Sequence, residues 1–429
     1  MDSDKLYRSI TRSGIHDAEI QISSLESFTK MTIIDNKMPK RIQLSMEKSF
    51  VIKCIRNKKM MTIITSDESR IEKSIEEAYR LANELGTQDT QTHFYSGRHK
   101  RLKQIEKYKN KQQKIEEIVN YIKNIKDRYI HTINAIIDEN SYVFSSANSN
   151  GLRVDLKSKL NDFEFDIIAK DGDDQATFGE DGEFIDNFDY ERVINETLSI
   201  AKSMLNAKPA PTFSGKLLLD ERAMIDLLMS LFPAFNGENI VKKMSFLYGY
   251  LNKPIGGENL NIYEIPSIKG SFYNRKFDDE MVPTRKKNII EKGILRNYFN
   301  SIYSAEKLGF EPGGNNFQLT MDGIRPTNLI FESGTSGYEE MIKEIDRGVI
   351  MIRTGDSPNI VSGDISAMVS TGYYVENGEI KYPVKETMIG GNLIKMFKGI
   401  VMISKSQMTR YGITAPKLLI NNVKISGKN

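Results

Sequence analysis

Cysteine is almost absent: the 429 residues contain one, Cys54. A single thiol excludes a disulfide framework, a four-thiolate zinc site and a protein-held iron–sulfur cluster. It suits a reducing cytosol, so a cytoplasmic location is expected. Histidine is nearly as scarce. His16, His93, His99 and His131 all fall in the first third, and Thr132 to Asn429 has neither imidazole nor thiol. That excludes a His-based triad from the later part of the chain, where a metal would have carboxylates and amides as ligands, a set suited to magnesium or calcium. An excess of one charge is also missing, because 60 basic and 57 acidic side chains leave +3. Such a balance gives no basic surface for tracking a polyanion, and no direct nucleic-acid contact is expected. Long apolar runs are lacking too. The richest, around 217–235 and 394–403, are broken by Asp220, Glu221, Arg222 and Asp226 or by Lys395 and Lys398, short of a membrane span. The opening Met1-Asp-Ser-Asp-Lys-Leu has two acids and no apolar run after it, so neither export nor a membrane partner is expected.

The chain also has no Gly-x-Gly-x-x-Gly, no Walker loop and no Gly-x-Ser-x-Gly elbow, which removes the usual support for nucleotide or α/β-hydrolase chemistry. What remains is a chain of 39% hydrophobic and 27% charged residues, with a length that favours two domains. Residues 18–65 alternate apolar and polar in five short runs, with turn-forming Asp35-Asn-Lys-Met-Pro39 and Arg56-Asn-Lys-Lys59. The pattern predicts an antiparallel meander. A helix follows, capped by Ser66 or Asp67, with a stripe of Ile71, Ile75, Ala78, Leu81, Ala82 and Leu85 and a stop at Gly86. Residues 100–130 read as a basic amphipathic helix through Leu102, Ile105, Tyr108, Ile115, Ile118, Ile122, Ile125 and Tyr129, expected to dock with a solvated lysine face. From Asp162 to Glu196 thirteen acids face only Lys170 and Arg192. Asp171-Gly-Asp-Asp-Gln-Ala176 lacks the glycine and the bidentate Glu of a calcium loop, so this stretch reads as solvated strand ends and turns.

Pro209-Ala-Pro-Thr-Phe-Ser-Gly215 is the best linker. The expected organisation is an amino-terminal domain at 1–208, antiparallel strands with helices, and a strand-rich antiparallel domain at 209–429. Together they make an α+β fold. Within the second domain a helix is expected from about Glu221 to Phe232, with hairpins turning at Lys292-Gly293 and Asn377-Gly378, where both positions tolerate positive φ.

Several segments could carry chemistry. Ser45-Met-Glu-Lys48 and Ser304-Ala-Glu-Lys307 match a Ser-x-x-Lys nucleophile, yet its companion motifs are absent. The carboxylates Asp278, Asp279 and Glu280 could bind a divalent ion or act as general acid and base, which would make the chain a carboxylate and magnesium-dependent hydrolase. Three successive acids in an extended segment point to alternating sides, so a buried Asp accepting backbone N–H groups is the plainer reading. Pro312-Gly-Gly-Asn-Asn316, with Asn315, and Ile389-Gly-Gly-Asn392 require positive φ or close backbone approach.

Taken in order, these segments are more specific than any alone. Phe277-Asp-Asp-Glu-Met-Val-Pro-Thr-Arg285, Ile290-Glu-Lys-Gly-Ile-Leu295, Ser304-Ala-Glu-Lys-Leu-Gly309, Gly363-Asp364-Ile-Ser366, Gly372-Tyr-Tyr-Val-Glu-Asn377-Gly378-Glu-Ile380, Tyr382-Pro383-Val384 and Ile389-Gly-Gly391-Asn392-Leu393 resemble the TldD/PmbA family. Ala415-Pro-Lys-Leu-Leu-Ile420 and Ile425-Ser-Gly427 resemble its closing segment. Met281 stands where that family more often has glycine.

The resemblance implies a pair of related subunits forming a zinc-dependent peptidase that acts on unstructured peptides. In TldD-type members a His-Glu-x-x-x-His helix holds zinc and activates water, with a later cysteine ligand. The similar helix here places Met229, Ser230 and Ala234 at those positions, and no cysteine follows. The chain therefore resembles the PmbA or TldE branch, which implies a subunit with no cofactor of its own, zinc in a TldD-type partner, and an unfolded peptide as substrate. The resemblance transfers no catalytic residue. A homodimeric peptide-binding protein without catalysis is the alternative from another class.

Overall fold

Residues 1–97, 100–105, 115–184 and 189–427 are described by the computed structural model. The amino-terminal part contains α1 (Ser3–Arg12), β1 (Glu19–Asp35), β2 (Met38–Arg56), β3 (Lys59–Thr65), α2 (Ile71–Leu85), β4 (Arg101–Ile105), α3 (Ile115–Asn124), β5 (Ile130–Asn148), β6 (Arg153–Asp171), β7 (Asp174–Phe184) and α4 (Tyr190–Ser203). Its seven strands form one sheet in the order β3-β2-β1-β5-β6-β4, with β7 also on β6. Asn36-Lys37 and Asn57-Lys58 turn the first hairpins with φ of 46°, 67°, 50° and 61°, the paired left-handed residues of a tight hairpin. The expected short strands are instead long and continuous, because the residues between them keep the ladder: Ser24 to Thr29 pair without a break with Phe50 to Ser45.

Side-chain alternation sends Ile20, Ile22, Phe50, Ile52 and Cys54 to the face covered by Leu6 and Ile10 of α1 and by Ile71, Ile75, Ala78 and Ala82 of α2. Gly86 ends α2 as expected, and the stripe is buried at Ile71, Ile75, Ala78 and Ala82, whereas Leu85 in the last turn is 70% exposed. The long helix expected over 100–130 does not form as one element. Among the described residues of that span Ile115–Asn124 is helical, Arg101–Ile105 pairs in parallel with β6, and Ile130 begins β5. Tyr108 lies outside the described residues. The acidic stretch is also reassigned: Asp162, Glu164 and Asp166 lie within β6, and Glu180, Asp181 and Glu183 within β7.

The carboxy-terminal part runs β8 (Phe213–Leu219), α5 (Glu221–Ser230), α6 (Phe232–Phe235), α7 (Gly237–Val241), β9 (Ile262–Ile265), β10 (Lys287–Glu291), β11 (Ile294–Leu295), α8 (Ile302–Leu308), β12 (Asn316–Phe317), β13 (Gly323–Ile324), β14 (Asn328–Phe331), α9 (Tyr338–Lys343), β15 (Arg347–Arg353), β16 (Asp364–Met368), β17 (Thr371–Glu376), β18 (Glu379–Pro383), β19 (Met388–Asn392), α10 (Leu393–Lys398), β20 (Ile400–Arg410) and β21 (Ile413–Ser426). Twelve of these strands form a second sheet. Most pairs are antiparallel, and β8 with β15 and β14 with β21 are parallel. The α+β architecture thus agrees with the sequence reading. Phe163, Phe165 and Phe178 of the first sheet share a core with Leu218, Ile350 and Val375 of the second, so the two sheets are packed on common apolar surface.

Candidate functional site

Asp278, Asp279 and Glu280 are buried, at 1%, 6% and 4% exposure. They lie in a turn and not in an extended segment: the Asp278 N–H donates to Val282 and the Met281 N–H to Asp278, with Met281 at φ +63°. Their oxygens are occupied. Asp278 accepts from the N–H groups of Glu280 (3.0 Å), Val282 (2.9 Å) and Asn316 (3.0 Å). Asp279 accepts from the N–H groups of Leu319 and Thr320 and the Thr320 hydroxyl, at 2.6–3.1 Å. Glu280 accepts from the Ile302 N–H at 2.8 Å. Burial pushes Asp279 up to about 6, and burial with the neighbouring Glu280 charge lifts Asp278 well above the ordinary carboxylate range. Carboxylates committed to backbone donors in a closed turn pin loops together. They leave no open position for a metal ion or a water nucleophile, so the magnesium-hydrolase expectation finds no support here.

The other motif positions fall in three separate places. Asn315 is fully buried, accepting from Lys287 Nζ at 2.6 Å and donating to Glu264; it belongs to a buried ion-pair network in which Lys287 and Glu264 lie 2.9 Å apart. Gly372, Asn377, Gly378 and Pro383 shape the β17–β18 hairpin, which turns at Asn377-Gly378 with φ of 52° and 73°. Gly363, Asp364, Ser366, Gly391 and Asn392 gather on β16 and β19, where Asp364 faces Asn392 and Ser366 faces Gly390. The Asn392 amide donates to Asp364 at 3.0 Å, and this bond with that of Ser362 holds the Asp364 carboxyl below its ordinary pKa. Gly390 and Gly391 lie inside a strand and take no positive φ. Among the described residues β16 has β19 as its one strand partner, and on its other side the Asp364 carbonyl accepts from the Asn359 N–H at 2.8 Å and the Met368 N–H donates to Asp356 at 2.7 Å.

The helix that matches the zinc motif ends early. α5 stops at Ser230, Leu231 follows, and α6 carries Pro233 in its first turn, so Met229 and Ala234 do not share one helix. Ser230 donates its hydroxyl to the Leu227 carbonyl at 2.7 Å, and Ala234 lies fully in the core. Met229 and Ser230 are half-buried, and Met229 lines a cavity of about 390 Å³ between β7, α5, β15 and β20. Arg353 and Arg410 line it with Asp181 and Asp226. Arg410 Nη1 lies 2.9 Å from Asp181, Arg353 Nη2 2.8 Å from Asp181 and Nη1 3.2 Å from Asp226, and Arg410 also pairs with Asp226. These donors do not fit zinc, since they comprise a thioether and two carboxylates already neutralised by guanidinium groups. Among the described residues, no group of three or more His, Cys, Asp or Glu side chains is arranged to hold a metal. The sequence reading missed both arginines. Each ends a strand, and nothing local in the chain marks them.

A second cavity of about 330 Å³ adjoins the first through Asp181 and Tyr411 and is lined by Asp138, Asp162, Glu164 and Asp166. A family model described as the PmbA/TldA metallopeptidase C-terminal domain matches residues 213–427. A Metalloprotease PmbA homolog of Buchnera aphidicola subsp. Baizongia pistaciae (strain Bp) is 32% identical over 238 residues, 55% of this chain and 52% of that protein. The chain thus spans about half the length of such curated relatives. A solved Thermotoga maritima MSB8 protein, described as a candidate modulator of a DNA gyrase, superposes with a TM-score of 0.86 at 25% identity over 99% of both chains. TldE from Thermococcus kodakarensis shares the fold, with a TM-score of 0.81 at 24% identity over 99% of both chains. No helix is long and apolar enough to cross a membrane among the described residues.

Proposed function

The chain belongs to the PmbA/TldD metallopeptidase family, and from that premise we propose that it is a TldE- or PmbA-type subunit of a cytosolic zinc peptidase, the zinc being held by a TldD-type chain. The observation that carries this reading is the wall of the larger cavity. Where zinc ligands would stand, it presents Met229 beside the paired arginines Arg353 and Arg410. The carboxylates there are already ion-paired with the guanidinium groups and a thioether stands beside them, so the wall offers no free ligand set for zinc and suits the lining of a chamber.

The test compares the purified chain with its mixture with a His-Glu-x-x-x-His family member. The chain alone is expected to show no chelator-sensitive cleavage of an unfolded peptide and no stoichiometric zinc, and cleavage is expected on mixing. Zinc-dependent hydrolysis by the chain alone would overturn the proposal.

A further inference from the structure

Side-chain alternation in the first sheet gathers acids on the face turned away from its core. Phe163, Phe165 and Ile167 of β6 and Ile133, Ala135 and Ile137 of β5 pack inward, so Asp162, Glu164 and Asp166 lie on the opposite face with Asn134, Ile136 and Asp138. Three cavities run on from one another there. The Met229 cavity shares Gly179, Asp181 and Tyr411 with the acidic one, which shares Ile136, Glu164 and Asp166 with a third, of about 330 Å³, that reaches Ile33 on β1. Together they form a trough across β7, β6, β5 and β1, roughly 15 Å long at the spacing of neighbouring strands, room for about four residues of extended chain.

The charges of this trough are not balanced from within. Among the described residues no basic group acts on Asp138, Asp162, Glu164 or Asp166; burial pushes all four carboxyls upward, and for the last three neighbouring carboxylates push further. Lys40 lines the third cavity but is already held by Asp35 at 2.6 Å. At the other end of the trough the unfilled groups are donors. Arg410 is 4% exposed and Arg353 mostly buried, both line the Met229 cavity, and although their Nη atoms meet carboxylates, the Nε–H of each is buried without an acceptor among the described residues. Buried N–H groups are normally paired, so these two suit carbonyl oxygens entering the cavity.

We propose that the trough is a subsite for a basic stretch of peptide, whose lysine or arginine side chains lie over Asp138, Asp162, Glu164 and Asp166 while its main-chain carbonyls accept from Arg353 and Arg410. The assignment rests on the Met229 cavity being part of a peptide chamber, and adds to it the class of peptide taken. A divalent ion is the poorer occupant, because among the described residues no three of these acids are arranged around one point, and charge spread along a trough matches charges spread along a chain. A free polyamine would answer the acids but brings no carbonyl for the two Nε–H donors. Unbalanced buried acids lower stability, and such a cost is characteristic of sites in use.

Fluorescein-labelled glycine-serine peptides carrying paired lysines, glutamines or glutamates are titrated with the purified chain at about pH 8, above the value of about 7 to which Asp162 is raised. The lysine peptide is expected to bind about ten-fold tighter than the glutamine peptide at low salt, with the glutamate peptide weakest and the advantage shrinking as salt is added. Asp162→Asn combined with Glu164→Gln should bring the lysine and glutamine peptides to within about two-fold of each other. Asp171→Asn with Asp173→Asn removes the same charge from exposed positions at the β6–β7 turn and should leave the preference intact. Arg353→Lys keeps the cation but lacks an Nε–H, and should weaken all three peptides alike while the lysine advantage stays; circular dichroism confirms that each variant is folded. No binding of the lysine peptide, a preference that survives the trough variant, equal loss in the surface variant, or spermidine bound as tightly as the lysine peptide would each overturn the proposal. Because binding is read on the chain alone, absence of cleavage on mixing with a His-Glu-x-x-x-His family member would sink the subunit role and not the preference, and loss of the preference would leave the subunit role standing.

Discussion

Met281 holds two opposed contributions in one residue. Its φ of +63° puts a β-carbon in the left-handed region, which costs roughly 1–2 kcal/mol. Its side chain is fully buried with Phe144, Leu152, Val154, Leu156 and Phe277, and removing a buried methionine typically costs about 2–5 kcal/mol. Packing outweighs strain, which is how methionine is tolerated where glycine would relax the backbone. Met281→Gly should therefore lower the melting temperature, by a net loss of roughly 1–3 kcal/mol. Met281→Ala, which keeps the strain and loses the packing, should lower it further. A glycine variant more stable than the parent would show that strain dominates.

At the scale of elements, turn chemistry and stripe periodicity were legible. Asn36-Lys37, Asn57-Lys58, Lys292-Gly293 and Asn377-Gly378 all take positive φ, and α2 follows its stripe. The segment 100–130 misled because Leu102 and Ile105 fit helical spacing, yet pairing with β6 fixes them in a strand, a tertiary override that no local pattern reports. The acidic stretch misled in the same way. Its charges were visible, but not that Asp162 faces Asp138 on one side and Glu183 on the other. Burial, then the charges of Glu183 and Asp138, push Asp162 up to about 7 against an ordinary 3.8. A carboxyl with a raised folded-state pKa gives stability that is fully present below pH 3.8 and is lost as pH rises through about 7. Asp162→Asn cannot ionise and escapes that loss. Relative to the parent it should gain roughly 1–3 kcal/mol between pH 4 and pH 7.5, trimmed by the solvent that reaches the cavity. Urea unfolding at the two pH values checks this, and a difference independent of pH would contradict it.

Across the whole molecule, the two sheets are joined by a shared apolar core and by an ion-pair network that no reading along the chain could assemble. Arg353 and Arg410 meet Asp181 across sequence separations of 172 and 229 residues. Glu180 adds a contact to Arg353 at 2.9 Å, and Arg222 reaches Glu180 at 2.5 Å. Arg410 is only 4% exposed, so deleting it strands partly desolvated carboxylates, a change that costs about 3–5 kcal/mol when no other cation is near. Here Arg353 still touches both aspartates, so Arg410→Ala should fall at the lower end of that range. Removing Arg353 as well takes away the remaining cation, and the double variant should lose more than the sum of the singles by about 1–3 kcal/mol. Calorimetry on the four members of the cycle reads this directly. Coupling of that sign, with the first sheet melting ahead of the second in the double variant, would mark the arginine pair as the electrostatic clasp between the sheets; strict additivity would reduce it to two independent surface contacts.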